Sequence, residues 1–276
     1  MKIEHITDYT VLNNGVRMPW LGLGVFQVED GQEVIQSVRH ALEVGYRSID
    51  TAAGYRNETG VGAAIKECGI PREELFITTK LANSDQGYES TLRAFEESRR
   101  KLDLDYIDLY LIHWPGKDKY KETWKAFEKL HKEGYIRAIG VSNFKIHHLE
   151  SLKQESNTIP AVNQVEYHPL LNQKELLQYC KAEGIQLEAW SPIMKGNLDL
   201  PQITEIANKY GKTPAQIVLR WDLQHGVVTI PKSVRKERIL ENANIFDFAL
   251  SEEDMNAIDS MNKDYRFGPD PDELLF

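Results

Sequence analysis

The stretch LFITTKLANSDQGYESTLRAFEESRRKLDLDYIDLYLIHW, residues 75–114, carries the pattern that decides the fold. It opens with a short β-rich run (75–80), continues with a longer amphipathic run typical of a helix (88–104), and closes with a second apolar run (108–114). Strands that alternate with helices indicate parallel pairing through helical crossovers. The stretch therefore predicts one repeating unit of an α/β fold.

The same alternation extends in both directions from this stretch. The β-rich runs are GLGVF (22–26), RSIDTA (47–52), LFITTK (75–80), DLYLIHW (108–114), RAIGVS (137–142), AVNQVEY (161–167), QLEAWS (186–191) and VVTIPK (227–232). Eight strand–helix units fit the number and the size of a closed (β/α)8 barrel. The pair Asn14-Gly15 predicts a β-hairpin ahead of the first barrel strand. We expect one domain, residues 1–276, folded as an α/β TIM barrel with an N-terminal β-hairpin.

The alternative fold is an open, doubly wound sheet. Such a sheet usually carries a glycine fingerprint after its first strand. Here GLGVFQ supplies Gly22 and Gly24 but lacks the third glycine, and GVGAAI (60–65) falls in a predicted helix. We interpret these glycines as packing residues, which favours the closed barrel.

Composition and charge exclude several classes of protein. The chain has 276 residues, 41% of them hydrophobic, which is enough to build a core. Its net charge of −9 argues against binding of nucleic acid and against docking on an anionic membrane. Two cysteines, no apolar leader and no run near 20 apolar residues predict a cytoplasmic protein with reduced thiols.

Four reactive side chains end consecutive predicted strands or follow them directly. Asp50 ends RSID, Lys80 ends LFITTK, His113 ends DLYLIH, and Tyr55 lies in the loop after Asp50. Taken singly, each has an ordinary structural interpretation, as a helix cap, a solvated lysine, a core histidine or a packing aromatic. Their joint position at the C-terminal ends of barrel strands, where barrel active sites lie, indicates a catalytic group.

These residue types suit protonation of an oxygen that gains negative charge. A tyrosine titrates near pH 10, and we expect a neighbouring lysine ammonium to lower that pKa. Asp50 would keep Lys80 charged, and His113 would orient the substrate oxygen. The group contains no strong nucleophile and no spacing typical of a metal site, so we expect no metal. Because no side chain can deliver hydride, the pattern implies a cofactor.

The last predicted strand leads into a basic segment, TIPKSVRKERILEN. Lys232, Ser233 and Arg238 are the residue types that bind phosphate, and loops after the last barrel strands commonly hold one. A solvated basic helix start is the alternative interpretation. Positive charge at a helix N-terminus opposes the helix dipole, so a bound anion accounts better for the segment.

The sequence resembles the aldo-keto reductase family over nearly its whole length. The matching stretches are GLGVF, YRSIDTAAGYRNE, LFITTKL, DLYLIHWP, IGVSNF, NQVEYHP, EAWSPI, IPKSVRKERILEN and the ending GPDPDELLF. They look most similar to the bacterial branch that includes glyoxal/methylglyoxal reductases and 2,5-diketo-D-gluconate reductases. The resemblance implies NADPH-dependent reduction of small aldehydes and α-dicarbonyls by a monomer.

The resemblance also implies a role for individual residues. Asp50, Tyr55, Lys80 and His113 match the catalytic tetrad, with Tyr55 as proton donor. The matching cofactor residues are Ser142, Asn143 and Gln164 at the nicotinamide carboxamide, Trp190 on the nicotinamide ring, Ser191 and Ile193 at the pyrophosphate, Lys232, Ser233 and Arg238 at the 2′-phosphate, and Glu241 and Asn242 at adenine. Phe26, His113 and Trp114 match the substrate pocket. Ala82 stands where the family often has Trp, and Val25 where it often has Thr, which leaves the substrate open.

Three other functions stay open at this point. They are reduction of sugar-derived ketones such as 2,5-diketo-D-gluconate, a subunit that senses pyridine nucleotide without catalysis, and a cofactor-free isomerase on the same barrel. The intact tetrad argues against a sensor, which needs no acid beside a lysine.

Overall fold

The computed structural model describes residues 2–274 and 276. The chain begins with an antiparallel hairpin of β1 (Tyr9–Val11) and β2 (Arg17–Pro19). Eight parallel strands then follow in an order that matches the sequence order. They are β3 (Gly22–Gly24), β4 (Ser48–Asp50), β5 (Phe76–Leu81), β6 (Ile107–Ile112), β7 (Ile136–Ser142), β8 (Val162–Glu166), β9 (Gln186–Trp190) and β10 (Val228–Thr229).

Helices connect and surround these strands. They are α1 (Gln32–Val44), α2 (Glu58–Glu67), α3 (Tyr88–Leu102), α4 (Tyr120–Lys132), α5 (Ile146–Lys153), α6 (Lys174–Glu183), α7 (Pro201–Tyr210), α8 (Pro214–Gln224), α9 (Lys236–Ala243) and α10 (Glu252–Asp259). Strands β5 and β6 are buried at every position because helices cover one face and the barrel interior the other. Two helices, α7 and α8, separate β9 from β10.

The first and last barrel strands meet along a seam. Parallel bridges join Leu21 to Thr229 and Gly24 to Lys232, and the amide of Gly24 donates to the carbonyl of Pro231 at 3.2 Å. A Cβ atom at Gly24 would lie 2.9 Å from the backbone oxygen of Ile230. The seam therefore needs glycine, which confirms that Gly24 is a packing residue.

The TIM barrel with an N-terminal hairpin is confirmed, and the open sheet is wrong. All eight predicted β-runs overlap a barrel strand, although VVTIPK contributes only Val228–Thr229. The residues after Thr229 leave the strand and form the seam with Gly24 instead. Both cysteines are free. Across residues 2–274 and 276, no helix is long and apolar enough to cross a membrane.

Candidate active site

Lys80 lies at the centre of a group of buried polar side chains. Its ammonium donates to Asp50 Oδ1 at 2.5 Å, to the carbonyl of Thr51 at 2.9 Å and to Tyr55 Oη at 3.2 Å. The lysine side chain is completely buried. Asp50 therefore serves as the counter-ion of a buried cation, as predicted, and Tyr55 contacts the same cation.

Neighbouring strands and one short turn produce this arrangement. Asp50 ends β4, and Lys80 is the fifth residue of the adjacent β5. Tyr55 ends a 3-10 turn, Ala53–Tyr55. Asn57 holds that turn in place, because its amide donates to the carbonyls of Val25 and Val28 and its oxygen accepts from the Thr51 hydroxyl.

The electrostatics of the pair agree with a charged lysine. Burial alone would lower the pKa of Lys80, but Asp50 and Tyr55 raise it above its ordinary value. The expectation that Lys80 brings the pKa of Tyr55 below its ordinary value is wrong. Burial is the larger effect and raises the pKa of Tyr55, while Lys80 acts in the lowering direction. Tyr55 is therefore a protonated phenol at neutral pH, which is the form that can give up a proton.

His113 follows β6 and faces the phenol. The two rings meet edge to face with their centroids 5.7 Å apart. Burial, and then the charge of Lys80, lower the pKa of His113 to about 3. The imidazole is therefore neutral near pH 7, with one N–H to donate and one nitrogen to accept.

A cavity of about 860 Å³ opens beside this group. Of the predicted site residues, the cavity is lined by Phe26, Asp50, Tyr55, His113, Trp114, Ser142, Asn143, Gln164, Trp190, Ser191, Ile193, Lys232, Ser233 and Arg238. Lys80 lies behind Tyr55 and does not line it. Glu241 and Asn242 also lie outside this wall, although both are on α9; Glu241 accepts a hydrogen bond from Thr213 and Asn242 is buried. Their contact with adenine stays a prediction.

The ends of β7, β8 and β9 place amides and an indole on the cavity wall. The Asn143 side chain donates to Ser142 Oγ at 3.1 Å and to the carbonyl of His113 at 2.9 Å. Its oxygen accepts from Trp190 Nε1 at 2.8 Å. Asn143 has φ of 63°, a left-handed conformation that asparagine tolerates better than most residues. The network therefore fixes the indole ring against the wall.

The cationic segment, residues 232–238, adds charge to the same cavity. Lys232, Arg235 and Arg238 line it, and among residues 2–274 and 276 none of the three pairs with a carboxylate. Lys236, in the same segment, instead lies 3.7 Å from Glu43. Unpaired cations on a cavity wall favour an anionic ligand.

The C-terminal tail forms part of the wall, which sequence reasoning missed. Phe267, Gly268 and Pro269 line the cavity, and a Cβ atom at Gly268 would lie 2.4 Å from the Trp190 ring. Buried Glu166 accepts hydrogen bonds from the amides of Phe267 at 2.6 Å and Gly268 at 3.1 Å. Glu166 stands in the stretch NQVEYHP, but the sequence carries no signal that its partners are residues about a hundred positions away.

Outside the cavity, one cluster of described residues has metal-ligand side chains. His147, His148 and Asp272 bring three such atoms within 4.8 Å of one another. The Lys145 ammonium lies 2.6 Å from Asp272, and the Lys145 amide donates to His148 Nδ1. Because the ammonium of Lys145 already pairs with the Asp272 carboxylate, we interpret the cluster as an ion-pair contact between the start of α5 and the C-terminal tail.

Fold and site together define a class, TIM barrels that place a tyrosine phenol beside a buried lysine–aspartate pair at the wall of one cavity. The model of the Aldo/keto reductase family matches residues 20–263, and the chain belongs to this family. The predicted family and the predicted enzyme class, an oxidoreductase, are therefore confirmed.

Relatives and a solved structure agree with this assignment. The chain is 65% identical over 272 residues to glyoxal reductase of Bacillus subtilis (strain 168), covering 98% of this chain and 99% of that protein. It is 51% identical over 268 residues to methylglyoxal reductase DkgA of Escherichia coli (strain K12), covering 95% and 96%. The structure of Bombyx mori aldo-keto reductase in complex with NADP matches with a TM-score of 0.90 at 39% identity, covering 96% of both chains.

Proposed function

We propose that the protein reduces small aldehydes and α-dicarbonyls, such as glyoxal and methylglyoxal, with NADPH. The observation that carries the proposal is the Tyr55 hydroxyl, which lies on the cavity wall 3.2 Å from a buried ammonium. Two relatives covered over almost their whole length are named for the reduction of glyoxal and of methylglyoxal.

The cofactor is NADP(H), which the family match and the NADP bound by the Bombyx mori protein support. The cavity suits this molecule, because Lys232 and Arg238, which pair with no carboxylate in the described part of the chain, can hold a phosphate. Ser233 beside them supplies a hydroxyl. Ser142, Asn143 and Gln164 would hold the nicotinamide carboxamide, with the Trp190 ring against the nicotinamide and Ser191 and Ile193 at the pyrophosphate. When bound, the cofactor supplies the hydride that no side chain can give.

Tyr55 would donate the proton. Its hydroxyl is protonated at neutral pH because burial raises its pKa. As the carbonyl oxygen of the substrate gains negative charge, the phenol proton moves to it, and the ammonium of Lys80 stabilises the phenolate that is left. Asp50 keeps that ammonium charged inside the barrel through the 2.5 Å contact.

His113 would position the substrate oxygen. A neutral imidazole can donate its single N–H to the carbonyl oxygen without adding a second positive charge beside Lys80. Its edge-to-face position at the Tyr55 ring brings donor and acid to the same side of the cavity. Removal of this donor therefore weakens both binding and orientation of the substrate.

The walls around Tyr55 suit small carbonyl compounds. The ring centroids of Phe26 and Tyr55 are 5.0 Å apart, and Phe26 is 53% exposed. Trp114 and the small side chain of Ala82 line the same cavity. Sugar-derived ketones such as 2,5-diketo-D-gluconate form the second substrate class to test, because the small Ala82 on the cavity wall leaves room for a larger substrate.

A panel of carbonyl compounds at fixed NADPH tests the proposal. We expect methylglyoxal and glyoxal to rank highest in kcat/KM. We expect Tyr55→Phe to abolish turnover while NADPH still binds, as measured by fluorescence titration. A parent protein that oxidises no NADPH with any carbonyl compound, or a Tyr55→Phe variant as fast as the parent, would contradict the proposal.

We also propose that residues 1–276 act as a single domain and as a monomer in the cytoplasm. The monomer is what the resemblance to the aldo-keto reductase family implies. Two free cysteines, one of them buried, suit a reducing compartment. Light scattering on the eluting protein measures the mass, and a dimer at micromolar concentration would contradict the monomer.

A further inference from the structure

Glu188, in the middle of β9, is a buried carboxyl group that the mechanism above does not use. Its side chain is fully buried inside the barrel, and Glu188 is paired in the sheet with Gln164 of β8. Glu188 Oε2 accepts a hydrogen bond from Gln164 Nε2 at 2.8 Å. Glu188 Oε1 has no hydrogen-bond partner among the described residues.

The same amide nitrogen also contacts the catalytic group. Gln164 Nε2 donates to Asp50 Oδ2 at 2.7 Å, on the far side of the carboxylate from Lys80. A primary amide carries two N–H groups, so Asp50 and Glu188 together use both. What Gln164 can offer to the cavity is then its carbonyl oxygen alone.

We propose that Glu188 is a positioning residue for the cofactor. By accepting the second N–H of Gln164, it fixes the plane of the amide and presents the Gln164 carbonyl oxygen to the carboxamide N–H of the nicotinamide. This inference rests on the proposed function, in which Gln164 faces that carboxamide. Asp50 alone would leave the second N–H without an acceptor, and the amide could then turn that N–H toward the cavity.

The charges around Glu188 are consistent with this role. Asp50, Lys80 and Tyr55 are the ionisable groups that face it, with Gln164 between Glu188 and Asp50. Burial, and then the negative charge of Asp50, raise the pKa of Glu188 to about 8. A carboxyl group that is mostly neutral near pH 7 can accept the hydrogen bond through its carbonyl oxygen without placing a second negative charge beside Asp50.

The test compares two ligands on three variants. NADP+ carries a carboxamide with an N–H, whereas its 3-acetylpyridine analogue has a methyl ketone and no N–H there. In Glu188→Leu the amide of Gln164 is free to turn, and NADP+ then loses the carbonyl acceptor for its carboxamide N–H, an acceptor that the analogue cannot use. The preference for NADP+ is the ratio of the Kd of the analogue to the Kd of NADP+, both measured by tryptophan fluorescence titration. We expect this ratio to be roughly three- to tenfold lower in Glu188→Leu than in the parent, which corresponds to the net free energy of one hydrogen bond.

Two variants serve as controls. Glu188→Gln keeps a carbonyl oxygen for the Gln164 N–H and should retain most of the preference. Asp222→Asn changes a matched carboxyl, which is also fully buried and has one oxygen without a hydrogen-bond partner among the described residues. The other oxygen of Asp222 accepts from Thr229 at 2.8 Å, whereas Glu188 accepts from Gln164. We expect Asp222→Asn to retain the parent's preference even where its stability falls. Glu188→Met, closer to glutamate in length, replaces Glu188→Leu if the latter does not fold.

The outcomes separate the two proposals. If the apolar variants keep the parent's preference, or lose affinity for both ligands equally, Glu188 has only a structural role and the inference is overturned. A loss of preference in Asp222→Asn would overturn it as well. If instead the parent binds neither ligand, the cofactor assignment itself fails, whatever the variants do.

Discussion

Replacing Lys80 by methionine removes the cation on which the site depends. Methionine is close to lysine in length but has no ammonium for Asp50, Thr51 or Tyr55. Asp50 is only 2% exposed in the parent, so in the variant it keeps the hydrogen bond from Gln164 but loses the counter-ion of a buried charge. The variant therefore tests whether the contacts of Lys80 hold the site together as the structure indicates.

The expected cost follows from the burial of the pair. Removing one partner of a buried ion pair costs about 3–5 kcal/mol, because the other charge is left without compensation. For a chain of this length that lowers Tm by roughly 6–10 °C, at roughly 2 °C per kcal/mol. In the parent, burial raises the pKa of Asp50 although Lys80 acts in the lowering direction, so removing Lys80 raises that pKa further. The loss of folding stability in the variant is therefore small below the ordinary aspartate pKa, about 4. It grows as the pH rises toward the pKa that Asp50 has in the folded variant.

Urea denaturation at about pH 5 and pH 8 measures this penalty, with the double variant Lys80→Met/Asp50→Asn as the matched control. The double variant no longer leaves an uncompensated charge at position 50, so we expect it to regain most of the lost stability. Turnover stays absent, because no cation remains to stabilise the phenolate. A single variant as stable as the parent at pH 8, or a double variant no more stable than the single one, would refute the reasoning.

Three further predictions concern separate parts of the cavity. Arg238→Ala should weaken NADPH binding by roughly 5- to 150-fold with little change in NADH binding. Lys236→Ala, outside the cavity wall, is the control and should change the affinity for neither cofactor. Equal weakening of NADPH and NADH binding by Arg238→Ala would contradict the assignment of Arg238 to the 2′-phosphate. Because burial lowers the pKa of His113 to about 3, its unfolded form takes up a proton below about pH 6.5. The parent should therefore lose more stability than His113→Gln as the pH falls from 7 to 4, as followed by urea denaturation; parallel curves would contradict this. Glu166→Gln should place a side-chain N–H against one of the two tail amides that Glu166 binds, which costs about 1–3 kcal/mol in the stability of that contact. Hydrogen exchange of those two amides should then become faster, and unchanged exchange would contradict this.

Much of the architecture could be predicted from local pattern. A parallel strand that is buried on both faces has a short apolar sequence, and each crossover between such strands needs a helix. The number of strand–helix units can therefore be counted from the alternation of apolar and amphipathic runs. The position of Asp50, Lys80 and His113 at successive strand ends was predictable for the same reason. Parallel strands in neighbouring positions bring their C-terminal ends to one end of the barrel, so residues 30 or more positions apart become neighbours.

Long-range contacts escaped prediction because no local signal encodes them. The Glu166 carboxylate meets the tail about a hundred residues later, and Gln164 joins Glu188 to Asp50 across 138 positions of sequence. The direction of the Tyr55 pKa shift was also missed, since it depends on how much water burial removes relative to the charge of Lys80. Depth of burial is a property of the packed barrel and has no local pattern.

By itself, the order of apolar runs and polar strand ends determined the barrel, the gathering of Asp50, Lys80 and His113 at one end of it, and the cationic segment. Each of these depends on residue type and spacing along one strand or one loop. The tertiary structure decided which hydrogen atom of Gln164 meets which acceptor, where the tail closes the cavity, and which ionisable groups stay neutral. Those properties arise only when distant segments exclude water together, since hydrogen-bond direction and the cost of charge both depend on what surrounds a group in three dimensions.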